Sequence, residues 1–457
     1  MRKSGILMPI FSLPSKYGIG SFSIEAYDFI DFLAEAGQKY WQILPLGPTG
    51  YGNSPYQSYS TFAGNPYLID LTMFVSSEEL DKYDWGNDSE RVDYDKIILN
   101  KMKVLKQIYE NMGEGINVLR DYRDFCKEQK FWLDGYAKFM HLKEGEEENF
   151  YRFQQFLFYM QWFKLKNYAE AQGIEIIGDL PIYVSLESSD VFDNPELFQV
   201  ELDIVPKAVA GCPPDMFSEE GQLWGNPLYD WDKHKETKFD WWIKRIEHNL
   251  KLYDVVRIDH FRALYDYYSI PFGAKSAKEG EWKLGPGMDI FKAIESKLGK
   301  TNLIAEDLGI LSPGVYDLLR ESGLPGMKIL HYAFNGGKDN PYLPENISEN
   351  YIVYPGTHDN DTTVGWYEKA SDWEKEQFHS YVGGNGEVHW EMIKLAMSTK
   401  AETCIIPIQD YLGLGSEARI NVPGVVSKNN WSWRLKELPT SELAAKIKKV
   451  TKEYNRG

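Results

Sequence analysis

Eight short apolar runs, bounded by Gly, Pro or Asp, punctuate the chain at residues 5–9, 40–45, 174–180, 255–259, 302–306, 327–330, 351–355 and 403–408. Amphipathic patterns of helical period lie between them, at 23–36, 239–252, 289–298, 314–322 and 388–397. Strands that alternate with helices predict parallel βαβ units. Eight such units predict an α/β chain closed into a (β/α)8 TIM barrel.

At 457 residues the chain exceeds the size at which one simple core stops growing, so a single large catalytic barrel (1–457) with insertions is expected. Two gaps are too long for one βα unit. Residues 75–172 are polar, charged and helix-like, which predicts an inserted, mainly helical subdomain, with the acidic run 144–148 a solvated helix end or loop. Residues 181–254 are rich in Pro, Gly, Asp and Trp and predict a long structured loop or subdomain over the barrel mouth, where long ordered loops are usually functional. Residues 442–457 predict a terminal helix reaching as far as Asn455.

Charge narrows the partners. A net charge of −18 repels phosphate backbones and anionic lipid, so neither nucleic acid nor a membrane surface is expected to bind. No run of about 18 apolar residues could cross a bilayer. The N-terminal apolar stretch is broken by Pro9 and lacks a signal peptide's h-region, which points to the cytoplasm. Cys126, Cys212 and Cys404 are far apart and have no CxxC spacing, which excludes a disulfide framework and a thiolate zinc site. A neutral substrate suits such a chain. Aromatic residues reach 15%, with 14 Trp and 30 Tyr, and many lie beside Gly, Pro, Asn and Asp, where their rings can stack on the apolar faces of sugars.

The active site of a (β/α)8 barrel sits at the C-terminal strand ends, so an acid that closes an apolar run is a catalytic candidate. The run Val255-Val256-Arg257-Ile258-Asp259 places Arg257 and Asp259 on one side of a strand. A second run ends in Glu306, and a third delivers His358 and Asp359. Three carboxylates at one mouth suit glycoside chemistry, whose oxocarbenium-like transition state needs one carboxylate to attack the anomeric carbon and a second, protonated, to donate to the leaving oxygen. Asp259 is the expected nucleophile, with Arg257 holding its pKa low. Glu306 is the expected acid/base, its pKa raised by the surrounding like charges. Asp359 and His358 are expected to bind sugar hydroxyls. Asp307 fits a helix cap or ion pair, and His260 a substrate contact or a core hydrogen bond.

At these residues the sequence resembles the 4-α-glucanotransferase family, also called amylomaltase or disproportionating enzyme. Val256-Arg257-Ile258-Asp259-His260-Phe261-Arg262 is similar to the family's nucleophile strand, Ile304-Ala305-Glu306-Asp307-Leu308-Gly309 to its acid/base strand and Gly356-Thr357-His358-Asp359-Asn360-Asp361-Thr362 to its third-carboxylate strand. The match runs nearly end to end, from the opening loop at residues 12–20 to the motifs at 417–424 and 430–434. It implies donor-side contacts from Ser54 and Tyr56 and a sugar contact from Asp179. It also implies substrate contacts from Gln222, Trp224, Arg257, His260, His358 and Asn421, and a loop at 213–227 that closes over acceptor glucan. The implied reaction transfers α-1,4-glucan segments through a glycosyl ester on Asp259, with maltooligosaccharides and α-glucans as substrates and with no cofactor and no metal. Two positions depart from the family pattern. Met216 precedes Phe217 where an aromatic is expected, implying weaker acceptor stacking, and Asn335 follows Phe334 where an acid is more usual.

The acids alone do not separate transfer from hydrolysis, since both reactions use them identically; how well the loops exclude water and hold an acceptor decides. A metal-dependent barrel hydrolase using His260 and His358 is the second alternative, and the chain lacks the HxH or HExxH spacing it needs. A glucan-binding protein without turnover is the third.

Overall fold

The computed structural model describes residues 2–86, 88–214, 219–384 and 386–457. In chain order its strands are β1 (Lys3–Leu7), β2 (Tyr40–Gln42), β3 (Glu175–Leu180), β4 (Ala208–Cys212), β5 (Gln222–Pro227), β6 (Val255–Ile258), β7 (Asp266–Pro271), β8 (Glu281–Leu284), β9 (Leu303–Ala305), β10 (Gly326–Ile329), β11 (Tyr351–Tyr354) and β12 (Thr403–Pro407). Eight of these form one parallel sheet in the order β10-β11-β12-β1-β2-β3-β6-β9. The ring closes where the Ala305 N–H donates 2.9 Å to the carbonyl of Pro325, just before β10. These are the eight runs that the sequence marks out, and the fold is a (β/α)8 barrel.

The barrel strands are buried on both faces, which is why they read as continuous apolar runs with no alternation. In β6, Val256 and Ile258 on one face and Arg257 on the other are all buried. A Cβ at Gly178 in β3 would meet the Tyr253 ring at 2.1 Å, so only glycine lets this strand pass immediately before Asp179.

Between β2 and β3 run the helices Tyr94–Met112, Arg120–Glu128, Lys130–Glu144 and Glu148–Ala171. The last packs on the barrel through Trp162, whose indole meets Phe22 at 5.5 Å and Tyr253 at 6.1 Å. The acidic run lies at the turn between two of these helices, where Gly145 takes a left-handed conformation at φ 88°.

A second sheet, antiparallel in the order β5-β4-β7-β8, joins the segment before β6 to the segment after it. Where the sequence predicts a loop over the mouth, part of the chain pairs as β4 and β5. These short runs carry no clear alternation, and their partner β7 lies beyond the intervening β6, so local pattern does not reveal them. Among the described residues, no helix is long and apolar enough to cross a membrane.

Candidate active site

Strand register assembles the site. Asp179 of β3 pairs with Arg257 of β6, and Ile258 of β6 pairs with Ala305 of β9. Asp259 and Glu306 therefore emerge one residue past the ends of adjacent strands. The Asp259 N–H donates 3.0 Å to the Leu180 carbonyl and the Glu306 N–H donates 3.0 Å to the Ile258 carbonyl, which fixes both backbones. Asp359 follows β11 on the same side of the barrel, five residues beyond Tyr354.

One guanidinium nitrogen links two of the acids. Arg257 Nη1 donates to both oxygens of Asp179 at 2.7 Å and to Asp259 Oδ1 at 3.0 Å. The Asp179 side chain is 0% exposed whereas that of Asp259 is 25% exposed, so of these two only Asp259 opens to an incoming sugar. Asp179, for which the resemblance implies a sugar contact, has no exposed side-chain surface, and the Tyr56 hydroxyl donates 2.7 Å to its Oδ2. Tyr56 has a single proton, and Asp179 takes it. The 2.8 Å contact between Tyr56 Oη and His358 Nε2 therefore requires His358 to carry its proton on Nε2 and to donate it to Tyr56. That donor, expected to face a sugar, is already engaged, while His358 Nδ1 is buried without a hydrogen-bond partner. Burial also holds this imidazole below its usual pKa, in the neutral form.

The electrostatics of Asp259 differ from the sequence expectation. Burial, with Asp179 and Asp359 nearby, outweighs Arg257 and pushes the carboxyl up to about 7. Glu306 is pushed further, to about 8, with burial first and Asp259 adding to it, against the opposing pull of Arg257. Like charge alone, the cause expected from sequence, is the lesser part. The two acids titrate as a pair, and the one hydrogen-bonded to Arg257 gives up its proton first.

Glu306 is held from the main chain. The N–H of His260 donates 2.6 Å to Oε2 and that of Leu308 donates 3.2 Å to Oε1. His260 itself has φ 46°, a left-handed conformation, where the chain turns out of β6 into the following loop. Its imidazole, lowered to about 4 by burial, meets the Trp224 ring edge to face at 4.9 Å. The Trp224 indole N–H donates 3.0 Å to Gln222 Oε1, so both β5 residues form one unit. Gln57 ties the opposite wall to it, donating 3.0 Å to Asn226 Oδ1, while Ser54 Oγ accepts the Tyr56 N–H at 3.2 Å and shapes the turn that presents Tyr56.

Asp359 is more open than Asp259, with 43% of its side chain exposed. Asn421 Nδ2 donates 2.6 Å to its Oδ1, and His358 Nε2 lies 3.5 Å from its Oδ2. Asp307 faces away, accepting the Met327 N–H at 2.6 Å with Lys328 Nζ at 3.6 Å. The sequence assigns no individual role to Arg419, Gln57 or Tyr332, whose hydroxyl accepts 2.8 Å from Asn360; contacts between loops distant in sequence bring Gln57 to Asn226 and Arg419 to Asp359. Met216 and Phe217 lie outside the described residues. Asn335 is exposed, and its Oδ1 accepts 3.4 Å from Asn340. Among the described residues, no group of three or more His, Cys, Asp and Glu is placed to hold a metal ion.

A sequence model of the 4-alpha-glucanotransferase family matches residues 8–149 and 144–440, a span that includes Asp259, Glu306 and Asp359. The chain belongs to that family. Among 4-alpha-glucanotransferases it is 45% identical to the protein from Clostridium butyricum, over 98% of this chain and 100% of the relative. It is 43% identical to that from Thermus thermophilus, over 95% of each. An amylomaltase from Streptococcus agalactiae, solved in complex with acarbose, is 40% identical and superposes over 100% of both chains with a TM-score of 0.96.

Proposed function

We propose that the chain is a retaining 4-α-glucanotransferase that moves α-1,4-glucan segments from a donor to the 4-hydroxyl of an acceptor glucose or maltooligosaccharide. The Asp259 carboxylate attacks the anomeric carbon, and the bond to the leaving glucan oxygen breaks as Glu306 gives that oxygen its proton. Glu306, now a carboxylate, takes the proton of the acceptor 4-hydroxyl. The freed oxygen attacks the anomeric carbon, and the ester to Asp259 breaks. Two inversions retain the α configuration. Asp359 binds sugar hydroxyls and tightens that grip as the ring flattens. Ser54 and Tyr56 shape the donor side, with Asp179, Arg257 and His358 behind them, while Gln222, Trp224 and His260 line the acceptor side and Asn421 orients Asp359.

The observation that carries this reading is the contrast between two partly buried carboxyls at one barrel mouth. Asp259 accepts a hydrogen bond from the Arg257 guanidinium, which favours its ionised form, whereas Glu306 is held by main-chain N–H groups and burial raises it further, which favours its protonated form. The sugar-like ligand held by the Streptococcus agalactiae amylomaltase supports the substrate class. No step uses a cofactor, and three cysteines far apart in sequence with no CxxC spacing suit a cytoplasmic enzyme of maltodextrin, starch or glycogen metabolism.

The test is a product profile from maltotriose, with and without EDTA, resolved by size. A ladder of longer oligosaccharides beside glucose in both samples is expected. Steady shortening to glucose with no longer product would make the chain a hydrolase with the same carboxylates.

A further inference from the structure

The Asp359 side chain is 43% exposed against 25% for Asp259, and a transition-state contact from an open carboxylate requires something to fix its orientation. The segment that does so lies far away in sequence, between Ser416 and Asn421. Arg419 Nη2 donates 2.7 Å to the main-chain carbonyl of Asp359, and its Nε donates 2.6 Å to the carbonyl of Asn421. Asn421 then returns its side-chain amide to Asp359 Oδ1 at 2.6 Å. One guanidinium thus holds both the backbone that presents the carboxylate and the backbone that presents the carboxylate's donor.

The far side of the clasp is anchored too. Arg419 Nη1 lies 4.0 Å from Asp361 Oδ2. Asp361 is nearly buried, accepts the Ser416 hydroxyl at 2.9 Å and pairs with Lys369. Those hydrogen bonds hold its carboxyl below the usual range against the cost of burial. Asp359 and Asp361 leave the same loop, so Arg419 bridges a fixed acid to a working one.

We infer that Arg419 is a positioning residue of the transfer reaction, acting through Asp359 and Asn421 without touching sugar. The inference rests on the reading of Asp359 as the carboxylate that grips the reacting sugar. Lysine cannot replace it fully, because one ammonium lacks the planar fork that serves two carbonyls and a carboxylate at once. A displacement of about 1 Å at such a group costs on the order of 10²-fold in rate.

The test is a double-substitution cycle on the full chain with maltotriose and with α-maltosyl fluoride as donors, alongside thermal midpoints. Arg419→Gln is expected to lower kcat about 10²-fold with KM within about threefold, and Arg419→Lys to recover part of that loss. In an Asp359→Asn background the same Arg419→Gln change is expected to cost under about threefold, because the group it positions is gone. The inference is overturned if Arg419→Gln only lowers the thermal midpoint and leaves kcat intact, or if its full rate loss persists with Asp359→Asn. Should Arg419→Gln fail to fold, Arg419→Lys decides by the same comparison. An Asp359→Asn variant with unchanged kcat would instead remove the underlying functional reading, and the inference with it.

Discussion

Arg257 Nη1 stands between two carboxylates, 2.7 Å from Asp179 and 3.0 Å from Asp259. Asp179 is sealed from solvent and Asp259 is partly open, so the buried acid fixes the cation and the cation fixes the open acid. A cation this deep is retained only because it is fully paired.

Removing it leaves two acids without their counterion. Arg257→Gln is expected to destabilise the fold by about 3–5 kcal/mol, the usual cost of stranding a buried charge. It should also abolish measurable transfer. Adding Asp179→Asn should recover part of the stability but none of the activity, a pattern read from denaturant unfolding beside the maltotriose assay. Equal stability loss in the single and double variants would mean that Asp179 is not the partner that anchors Arg257.

The pH dependence follows from the raised carboxyls. Activity needs Asp259 ionised and Glu306 protonated, so kcat/KM should be bell-shaped with limbs near the pair's values of about 7 and about 8. Glu306→Gln, assayed on α-maltosyl fluoride, should lose the alkaline limb. Stability has the opposite bias. Both folded values lie above the unfolded ones near 4, so the folded chain holds extra protons between about pH 4 and 8 and loses stability as pH rises through that window. Asp259→Asn and Glu306→Gln should therefore melt above the parent at pH 8.5, with the gap closing toward pH 5. A gap that widens on acidification would contradict the assignment.

Trp224 and His260 touch edge to face at 4.9 Å and should act as one acceptor-side unit. Trp224→Ala and His260→Ala are each expected to raise the acceptor KM about tenfold, and the pair together by less than the product, since contacting residues do not add. His260→Ala should keep the Glu306 environment, because the donor to Oε2 is the main-chain N–H. A lost alkaline limb in His260→Ala would show that its ring matters to the acid.

The sequence makes the barrel legible because its strands are buried on both faces and most of them end abruptly at Pro or an acid, as at Pro181, Asp259, Glu306 and Pro355. Helix ends were as readable: 239–252 is expected, and Asp240–Leu252 is found. The antiparallel sheet was hidden, since β8 (Glu281–Leu284) is exposed along its length and β4 holds a glycine, leaving no periodic signal. In the site, Arg257 and Asp259 could be paired from their spacing, but the competing partner Asp179 depends on strand register, which no local pattern encodes. Burial, aided by that hidden neighbour, reverses the expected direction of the Asp259 shift. Arg419 escaped notice for a similar reason, because its contacts join residues distant in sequence.

The most direct test of the central claim is to look for sugar on Asp259. Glu306→Gln given α-maltosyl fluoride needs no acid to expel fluoride but has no base to activate an acceptor, so the ester should accumulate. Peptide mass spectrometry should then find a maltosyl adduct on Asp259, absent from Asp259→Asn treated in the same way. An adduct on another carboxylate, or fluoride release with no adduct at any time, would contradict the account.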